Sequence, residues 1–186
     1  MIAMERTNEP QFLKDNKKCW TSDYKKTGRW NSNWHGYYPD LLRELKKTTK
    51  SHCAFCDEAL MPVGGAPEEI EHLKPKSNYP LLAYVWINIF PCCTKCNRTK
   101  SNRFDALLLR PDATGFSFDK WFYFDFNSFE VLPKKIGNPN WIRAERTIKI
   151  FGLNKPEKIQ RRAFFFNYPT KSMNIDDLAF RFMFSF

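Results

Sequence analysis

The first feature that could support chemistry is a set of four cysteines arranged in two pairs. Cys53 and Cys56 are separated by two residues, as are Cys93 and Cys96. A pair at this spacing can place two thiolates on one tetrahedral zinc ion. Zinc bound by four thiolates has no open coordination position, so the predicted role is structural rather than catalytic. The stretch between the pairs is longer than in a zinc ribbon, which indicates that a further functional segment is inserted there.

Other possible ligands are close in sequence to these four cysteines. Cys92 is directly beside Cys93, but its spacing to Cys96 breaks the pattern, so we leave it outside the site. His52 is an alternative to one of the thiolates, and buried reduced cysteines without metal are the alternative to the whole site. Cys19 has no partner in the pattern and is predicted to pack inside the protein.

The inserted segment carries an acidic residue directly before a histidine. These are Glu71 and His72, and two asparagines follow at Asn88 and Asn97. Histidine titrates near neutral pH, so the neutral imidazole of His72 can take a proton from a water that attacks a phosphodiester. The side-chain oxygens of Glu71 and Asn97 suit a hard cation, which favours Mg²⁺ or Mn²⁺ over zinc at this second site. Glu69 is a lesser candidate for the same metal.

The order of these residues resembles the HNH endonuclease family, whose core is the ββα-metal fold. The family pattern is an acidic residue and a histidine, a proline three residues later, an asparagine, and then Cys-x-x-Cys-Asn-x-x-Lys. Every part of this pattern occurs here in order, ending at Lys100. The sequence is also similar to the PtuB family, the HNH effectors of Septu and retron-associated antiphage systems, in residues 5–6, 70–77, 79–80, 86–88 and 147–154.

The resemblance implies a role for each residue of the motif. His72 would be the general base, and Asn88 would hold the loop that orients it. Glu71 and Asn97 would bind the catalytic metal. Many family members have aspartate where this chain has Glu71, and because the longer side chain moves the carboxylate, Asn97 is the firmer metal ligand. Lys100 is expected to neutralise charge at the phosphate.

The resemblance also implies partners. Nucleic-acid backbone contacts are expected from the basic residues around the motif, for each of which a solvated surface position is the alternative: Lys74, Lys76, Arg98, Lys100 and Arg103. The protein would act in antiphage defence with a PtuA-like ATPase. In retron-associated systems it would also act with a reverse transcriptase and its nucleic acid.

Composition and charge agree with a nucleic-acid partner. The chain has 186 residues, of which 42% are hydrophobic, and its formal net charge is +10 with a pI of about 9.4. The apolar residues suffice for a folded core, and the positive charge favours DNA or RNA because phosphate contacts release condensed counterions. We see no signal peptide and no apolar run of membrane-spanning length, so we expect a cytoplasmic protein whose cysteines stay reduced.

The resemblance implies an α+β fold in which a ββα-metal core is stapled by the four-cysteine zinc site. We expect an N-terminal helical and aromatic segment at 1–50, the nuclease core at 51–105, and a C-terminal β-hairpin with helices at 106–186, packed with the core. Periodicity and turn residues predict helices at 12–20, from 39 onward, and at 94–103, 141–151 and 154–166. They predict strands at 68–73, 121–126 and 129–132, and either a strand or a helix at 81–90.

Several single residues carry local predictions. Thr94 and Asn154 are predicted N-caps of helices, and Gly152 is a predicted C-cap. His35 is expected to be a hydrogen-bonding histidine in a loop. The phenylalanines that alternate at the end of the sequence predict a core strand, with a partner surface as the alternative: Phe180, Phe182, Phe184 and Phe186.

Three functions compete for this pattern. The first is a metal-dependent endonuclease that hydrolyses phosphodiester bonds in antiphage defence, and the second is another bacterial HNH nuclease of a restriction system or a mobile element. The third, from a different class, is a zinc-knuckle module that binds nucleic acid without cleaving it. A binding module needs the cysteines and the charge but has no use for Glu71, His72 and Asn97 in this order. The nuclease is therefore favoured.

Overall fold

The computed structural model describes residues 1–60, 68–169, 172 and 174–184. Its helices and strands are, in chain order, α1 (Gln11–Thr27), α2 (Trp34–Thr49), β1 (Glu68–His72), β2 (Ile89–Cys93), α3 (Thr94–Lys100), α4 (Phe118–Trp121), β3 (Phe122–Asp125), β4 (Glu130–Pro133), α5 (Ile142–Phe151) and α6 (Pro156–Asn167). Helices together with two small antiparallel sheets confirm the predicted α+β class. Among the helices described, none is both long enough and apolar enough to cross a membrane.

The centre of the fold is an antiparallel pair of strands followed at once by a helix. β1 pairs with β2 so that Glu68 lies opposite Cys93 and His72 opposite Ile89, and α3 begins at the next residue. The segment 81–90, predicted as strand or helix, is neither over most of its length, because 3-10 turns precede β2. The carbonyl groups of Leu82 and Ala83 accept hydrogen bonds from the side chains of Asn88 and His72 instead of pairing with a neighbouring strand.

The junction between β2 and α3 is made by a cysteine. Cys93 is the N-cap of α3, and its sulfur accepts a hydrogen bond from the Cys96 backbone N–H. The predicted N-cap, Thr94, is therefore the first residue of the helix instead. α3 ends at Lys100, earlier than predicted, because Ser101 has a positive φ of 50°.

Two hydrophobic cores lie on opposite sides of the β1–β2 pair. The first contains Ile89 and Ile70 together with aromatic rings from α1 and α2. The second contains Phe90, the paired cysteines, and residues of α5 and the C-terminal segment. Successive strand residues point to opposite faces, so Ile89 and Phe90 enter different cores. The strands that carry the site are thus held from both sides.

The N-terminal helices differ from their predictions at the ends. α1 confirms the helix at 12–20 and is longer, while α2 begins at Trp34, so the predicted start at Pro39 is wrong. The ring of Trp34 packs edge-on against Trp20. The helix loses one backbone hydrogen bond at Pro39, but the burial of Trp34 outweighs this loss and stabilises the turn that precedes Pro39. His35 accordingly lies in the helix rather than in a loop. Cys19 is exposed on α1, which corrects its predicted packing.

The C-terminal half confirms the predicted hairpin and helices. β3 pairs with β4, with Phe122 opposite Pro133, and α5 ends at Gly152, whose φ is +56°. Asn154 does not cap α6, because Lys155 occupies that position. The Asn154 amide instead exchanges hydrogen bonds of 2.9 and 2.8 Å with the backbone of Val131 in β4.

Residues 180–183 are buried but do not form a strand. Phe180 and Phe182 lie in the second core, yet Arg181–Met183 forms a 3-10 turn. Asp57 fixes this turn, because its carboxylate accepts from the Arg181 backbone N–H at 2.7 Å and from the Arg181 guanidinium at 2.6 Å. The predicted core position is correct and the predicted strand is wrong. Phe186 lies outside the described residues.

Candidate active site and metal centre

The four cysteines predicted as zinc ligands come together inside the second core. Their sulfur atoms lie within 4.8 Å of one another and all four residues are buried. The sulfurs of Cys56 and Cys93 are 3.7 Å apart. Tetrahedral zinc with Zn–S bonds of about 2.3 Å places its sulfurs roughly 3.8 Å apart. The four cysteines could therefore hold one zinc ion.

Two buried cations on α6 lie near this cluster: Lys158 contacts a cysteine sulfur, while the Arg162 guanidinium donates to the Phe129 and Leu153 carbonyls. The ammonium of Lys158 lies 2.8 Å from Cys96 Sγ and 2.8 Å from the Phe151 carbonyl, and Arg162 follows one helical turn later. Burial alone would lower the pKa of Lys158, but the nearby thiolates of Cys96 and Cys56 outweigh burial and raise it. Burial lowers the pKa of Arg162 to about 10, so it stays cationic at neutral pH. Zinc with four thiolates carries a net charge of about −2, which these two cations offset.

The two alternative zinc ligands, Cys92 and His52, make other contacts. The Cys92 sulfur is 3.9 Å from Cys53 Sγ and 3.4 Å from the Cys93 carbonyl, which it faces as a thiol donor. The two ring nitrogens of His52 face the carbonyls of Lys50 at 2.7 Å and Leu178 at 2.9 Å. Because each ring nitrogen faces a backbone carbonyl, neither is directed at the four cysteine sulfurs, and His52 is not placed as a ligand.

His72 is the last residue of β1 and is held as a neutral imidazole. Its Nε2 lies 2.8 Å from the Ala83 carbonyl, which can only accept, so Nε2 carries the proton and Nδ1 keeps its lone pair. Burial, with a smaller effect of the positive charge of Lys76, lowers the pKa of His72 to about 3. The side chain therefore offers one unprotonated nitrogen across the whole physiological pH range.

Asn88 holds the loop that His72 contacts. Its side-chain oxygen accepts from the Lys74 backbone N–H at 2.9 Å, and its amide nitrogen donates to the Lys74 and Leu82 carbonyls at 3.0 Å each. Leu82 directly precedes Ala83, whose carbonyl binds the imidazole. One buried amide thus joins the end of β1 to the segment that fixes the imidazole.

Glu71 and Lys100 form a buried ion pair beside the histidine. The Lys100 ammonium donates to Glu71 Oε1 at 2.9 Å and to the His72 carbonyl at 2.7 Å. Lys100 is completely buried, so it does not reach the surface where we expected it to neutralise phosphate charge. Burial, opposed by Lys100, raises the pKa of Glu71 to about 7. The second oxygen, Oε2, is buried and has no hydrogen-bond partner among the described residues.

A second pair joins β1 to α3. The amide nitrogen of Asn97 donates to a carboxylate oxygen of Glu69. Glu69 and Glu71 share one face of the strand, and Asn97 and Lys100, three residues apart, share one face of the helix. The two pairs therefore align along the β1–α3 contact. Glu69 is therefore a larger part of the site than the sequence analysis suggested, where it was only a lesser candidate. Its spacing of two residues from Glu71, which puts both side chains on one face of a strand, is the sequence signal for this role.

A cavity of about 370 Å³ opens beside these residues. His72, Asn97 and Glu69 contribute to one part of its wall, and the aromatic residues of α2 and the preceding turn contribute to the rest. The residues that line it are Trp30, Trp34, His35, Tyr38, Glu69, Ile70, His72, Lys76 and Asn97.

The remaining predicted nucleic-acid contacts are spread over different surroundings. Arg98 is exposed on α3. Arg103 donates to the carbonyls of Thr99 and Ile150, the latter at 2.9 Å, and so caps the end of α3. Lys74 is exposed. Its ammonium lies 5.5 and 5.7 Å from the rings of two neighbouring aromatic residues.

The sequence matches no family model. Over 100 residues it is 32% identical to the Septu protein PtuB of Bacillus thuringiensis. The chain is similar to PtuB. The aligned residues are 54% of this chain but only 37% of PtuB, so the chain spans little more than a third of that relative's length. This match confirms the resemblance to PtuB that the sequence motifs predicted.

Proposed function

We propose that the protein is a metal-dependent HNH endonuclease that hydrolyses phosphodiester bonds of nucleic acid. The observation that carries this proposal is the state of His72. Its neutral imidazole has Nε2 bound to a carbonyl, Nδ1 unprotonated, and a position at a cavity that Asn97 and Glu69 also line. A histidine buried only for structure does not need a cavity beside it.

The residues around the imidazole fit a divalent cation. Oε2 of Glu71 is buried and has no hydrogen-bond partner among the described residues, which is unfavourable for a carboxylate oxygen. A hard divalent cation would provide the missing partner. The amide oxygen of Asn97 is a second oxygen ligand, with Glu69 as a further carboxylate nearby. Mg²⁺ or Mn²⁺ bound there would supply a Lewis acid that neutralises charge on the scissile phosphate and the leaving oxygen.

Each protein side chain then has a separate task. His72 Nδ1 takes the proton of the attacking water, while its Nε2–H stays on the Ala83 carbonyl. Asn88 keeps the Ala83 carbonyl in place through its hydrogen bond to the preceding residue, Leu82. Lys100 fixes the Glu71 carboxylate by an ion pair and does not contact the substrate. The β1–β2–α3 unit would be the ββα-metal core, and the four cysteines would fix the entry and exit of β2 and α3 through zinc.

The defence role follows from the likeness to PtuB. We propose that the protein is an effector of antiphage defence that acts with a PtuA-like ATPase, and in a retron-associated system also with a reverse transcriptase and its nucleic acid. Since the aligned part is 37% of PtuB, activity and partners remain proposals for this chain. Another bacterial HNH nuclease would use the same residues with a different trigger. A non-cleaving zinc-knuckle module would leave the Glu71 oxygen and the imidazole without a task.

The test is cleavage of plasmid DNA and of total RNA by the purified protein. We expect cleavage with Mg²⁺ or Mn²⁺, loss of cleavage in EDTA, and loss in His72→Ala with zinc still bound. His35→Ala is the matched control, because His35 lines the same cavity from α2 but is exposed, and it should keep its activity. Cleavage by His72→Ala at the wild-type rate would refute the proposed base. Binding without cleavage, even with the ATPase added, would favour the zinc-knuckle module.

A further inference from the structure

Lys76 stands out among the residues that line the cavity. It is the one lysine or arginine among those lining residues. Lys100, which the family pattern places at the phosphate, is buried behind Glu71 and does not line the cavity. If a phosphate enters here, the positive charge that meets it comes from Lys76.

The ammonium of Lys76 is positioned by a ring and not by a carboxylate. It lies 5.0 Å from the centre of the Trp30 ring. That ring stacks in parallel on Trp34 at 4.7 Å and also lies 5.8 Å from the His72 ring. Within the described ranges Lys76 forms no ion pair and no side-chain hydrogen bond. A cation–π contact fixes the position of an ammonium but leaves its N–H donors unused.

A half-buried ammonium with unused donors is poorly compensated. Burial lowers the pKa of Lys76, and the nearby charge of Lys100 acts in the same direction, while Glu71 opposes them. The protein therefore keeps a desolvated cation at the mouth of a cavity whose wall contains a general base. An anion bound in the cavity would satisfy both the charge and the donors.

We propose that Lys76 is a catalytic residue whose ammonium binds a non-bridging oxygen of the scissile phosphate, and that Trp30 is the positioning residue that holds it there. This rests on the proposed nuclease function. Water oxygen forms a bond to phosphorus, the bond to the leaving oxygen breaks, the water proton goes to His72 Nδ1, and the leaving oxygen takes a proton from solvent. Lys76 keeps its protons throughout and stabilises the charge that builds on the non-bridging oxygens.

The test compares two lysines whose ammonium groups each lie near a tryptophan ring. Lys76→Met removes the ammonium but keeps a long apolar side chain over Trp30, and Lys76→Arg keeps both the charge and the ring contact. Lys135→Met is the matched control, because Lys135 is exposed, does not line the cavity, and has its ammonium 4.6 Å from the centre of the Trp141 ring. Single-turnover cleavage rates and dissociation constants are measured with a nucleic acid that the wild type cuts.

We expect Lys76→Met to slow cleavage by about 100- to 1,000-fold while the dissociation constant rises less than about tenfold. Lys76→Arg should recover at least about tenfold of that loss, and Lys135→Met should stay within about threefold of wild type. Trp30→Leu should slow cleavage by about tenfold or more, because the Trp30 ring contacts both the Lys76 ammonium and the His72 ring. Its effect should be smaller in the Lys76→Met background, since the part that acts through the ammonium is then already lost.

The outcomes separate this proposal from the one on which it rests. If cleavage depends on His72 but Lys76→Met cuts at the wild-type rate, the role of Lys76 is refuted and the nuclease stands. Equal losses in Lys135→Met and Lys76→Met would also refute it, since a general charge effect would then suffice. A wild type that cuts no nucleic acid removes the proposed function, and the role of Lys76 falls with it.

Discussion

Replacing Lys158 with methionine tests the charge balance at the cysteine cluster. The Lys158 side chain is completely buried, and its ammonium contacts Cys96 Sγ and the Phe151 carbonyl at 2.8 Å each. Methionine fills a similar volume without the charge. The change therefore removes the cation that contacts a cysteine sulfur and leaves a buried carbonyl unpaired.

The expected loss has two parts. Removing a group that supports the ligands of a metal typically weakens metal affinity by about 10- to 100-fold, or roughly 1.4–2.7 kcal/mol. The unpaired carbonyl of Phe151 costs about 1–3 kcal/mol in unfolding free energy. Together they amount to about 2.5–6 kcal/mol, against a typical domain stability of about 5–15 kcal/mol. The variant should still fold with zinc bound, but its zinc affinity and its unfolding free energy should both be clearly lower than those of the wild type.

The assay is competition for zinc with a coloured chelator, together with urea unfolding of the zinc-loaded protein. Lys149→Met is the control, because Lys149 is an exposed lysine on the neighbouring helix α5. Lys158→Met should bind zinc about 10- to 100-fold more weakly than the control, so the chelator should remove its zinc at a correspondingly lower concentration. Equal zinc affinity and equal unfolding free energy in the two variants would refute the electrostatic argument.

Three further changes test other parts of the fold. Asn88→Ala removes three hydrogen bonds to the loop beside the imidazole, and should cost about 2–4 kcal/mol in urea unfolding and abolish cleavage by a protein that still folds. Burial alone would raise the pKa of Asp112, but hydrogen bonds from two arginines outweigh it and lower the pKa. Its contribution is therefore present above the unfolded pKa and is lost as pH falls through the lower folded pKa, so urea titrations should show less acid destabilisation in Asp112→Asn than in wild type. Gly152→Ala places a Cβ 2.7 Å from Thr99 Cγ2 at a φ of +56°, and should lower the melting temperature, with about 2 kcal/mol lost.

Spacing within short segments predicted much of the site. The two-residue spacing of the cysteine pairs predicted which sulfurs meet, and the Gly152 C-cap followed from the helical period before it. Such features depend on residues close together in the chain. The same is true of β1, which forms over residues 68–72 of the predicted 68–73.

Features that depend on tertiary contacts were not visible in the same way. Lys100 lies on the predicted helix, but only its packing against β1 shows that it is buried with Glu71. The cations on α6 meet the cysteines across more than sixty positions of sequence, at Lys158 and Cys96. The start of α2 at Trp34 reflects burial against another helix, which outweighs the preference of Pro39 for a first turn. In each case a distant partner decided the outcome, and local propensity does not encode distant partners.

The central claim is that the imidazole of His72 transfers the proton in phosphodiester cleavage. Chemical rescue tests it most directly: cleavage by His72→Ala is measured while free imidazole is added, with zinc content checked at each concentration. We predict that cleavage returns in proportion to imidazole and stays dependent on Mg²⁺ or Mn²⁺, because the small base can enter the space left beside Ala83. A variant that cuts at the wild-type rate without imidazole would contradict the claim, as would one that binds nucleic acid normally and gains no cleavage at any concentration.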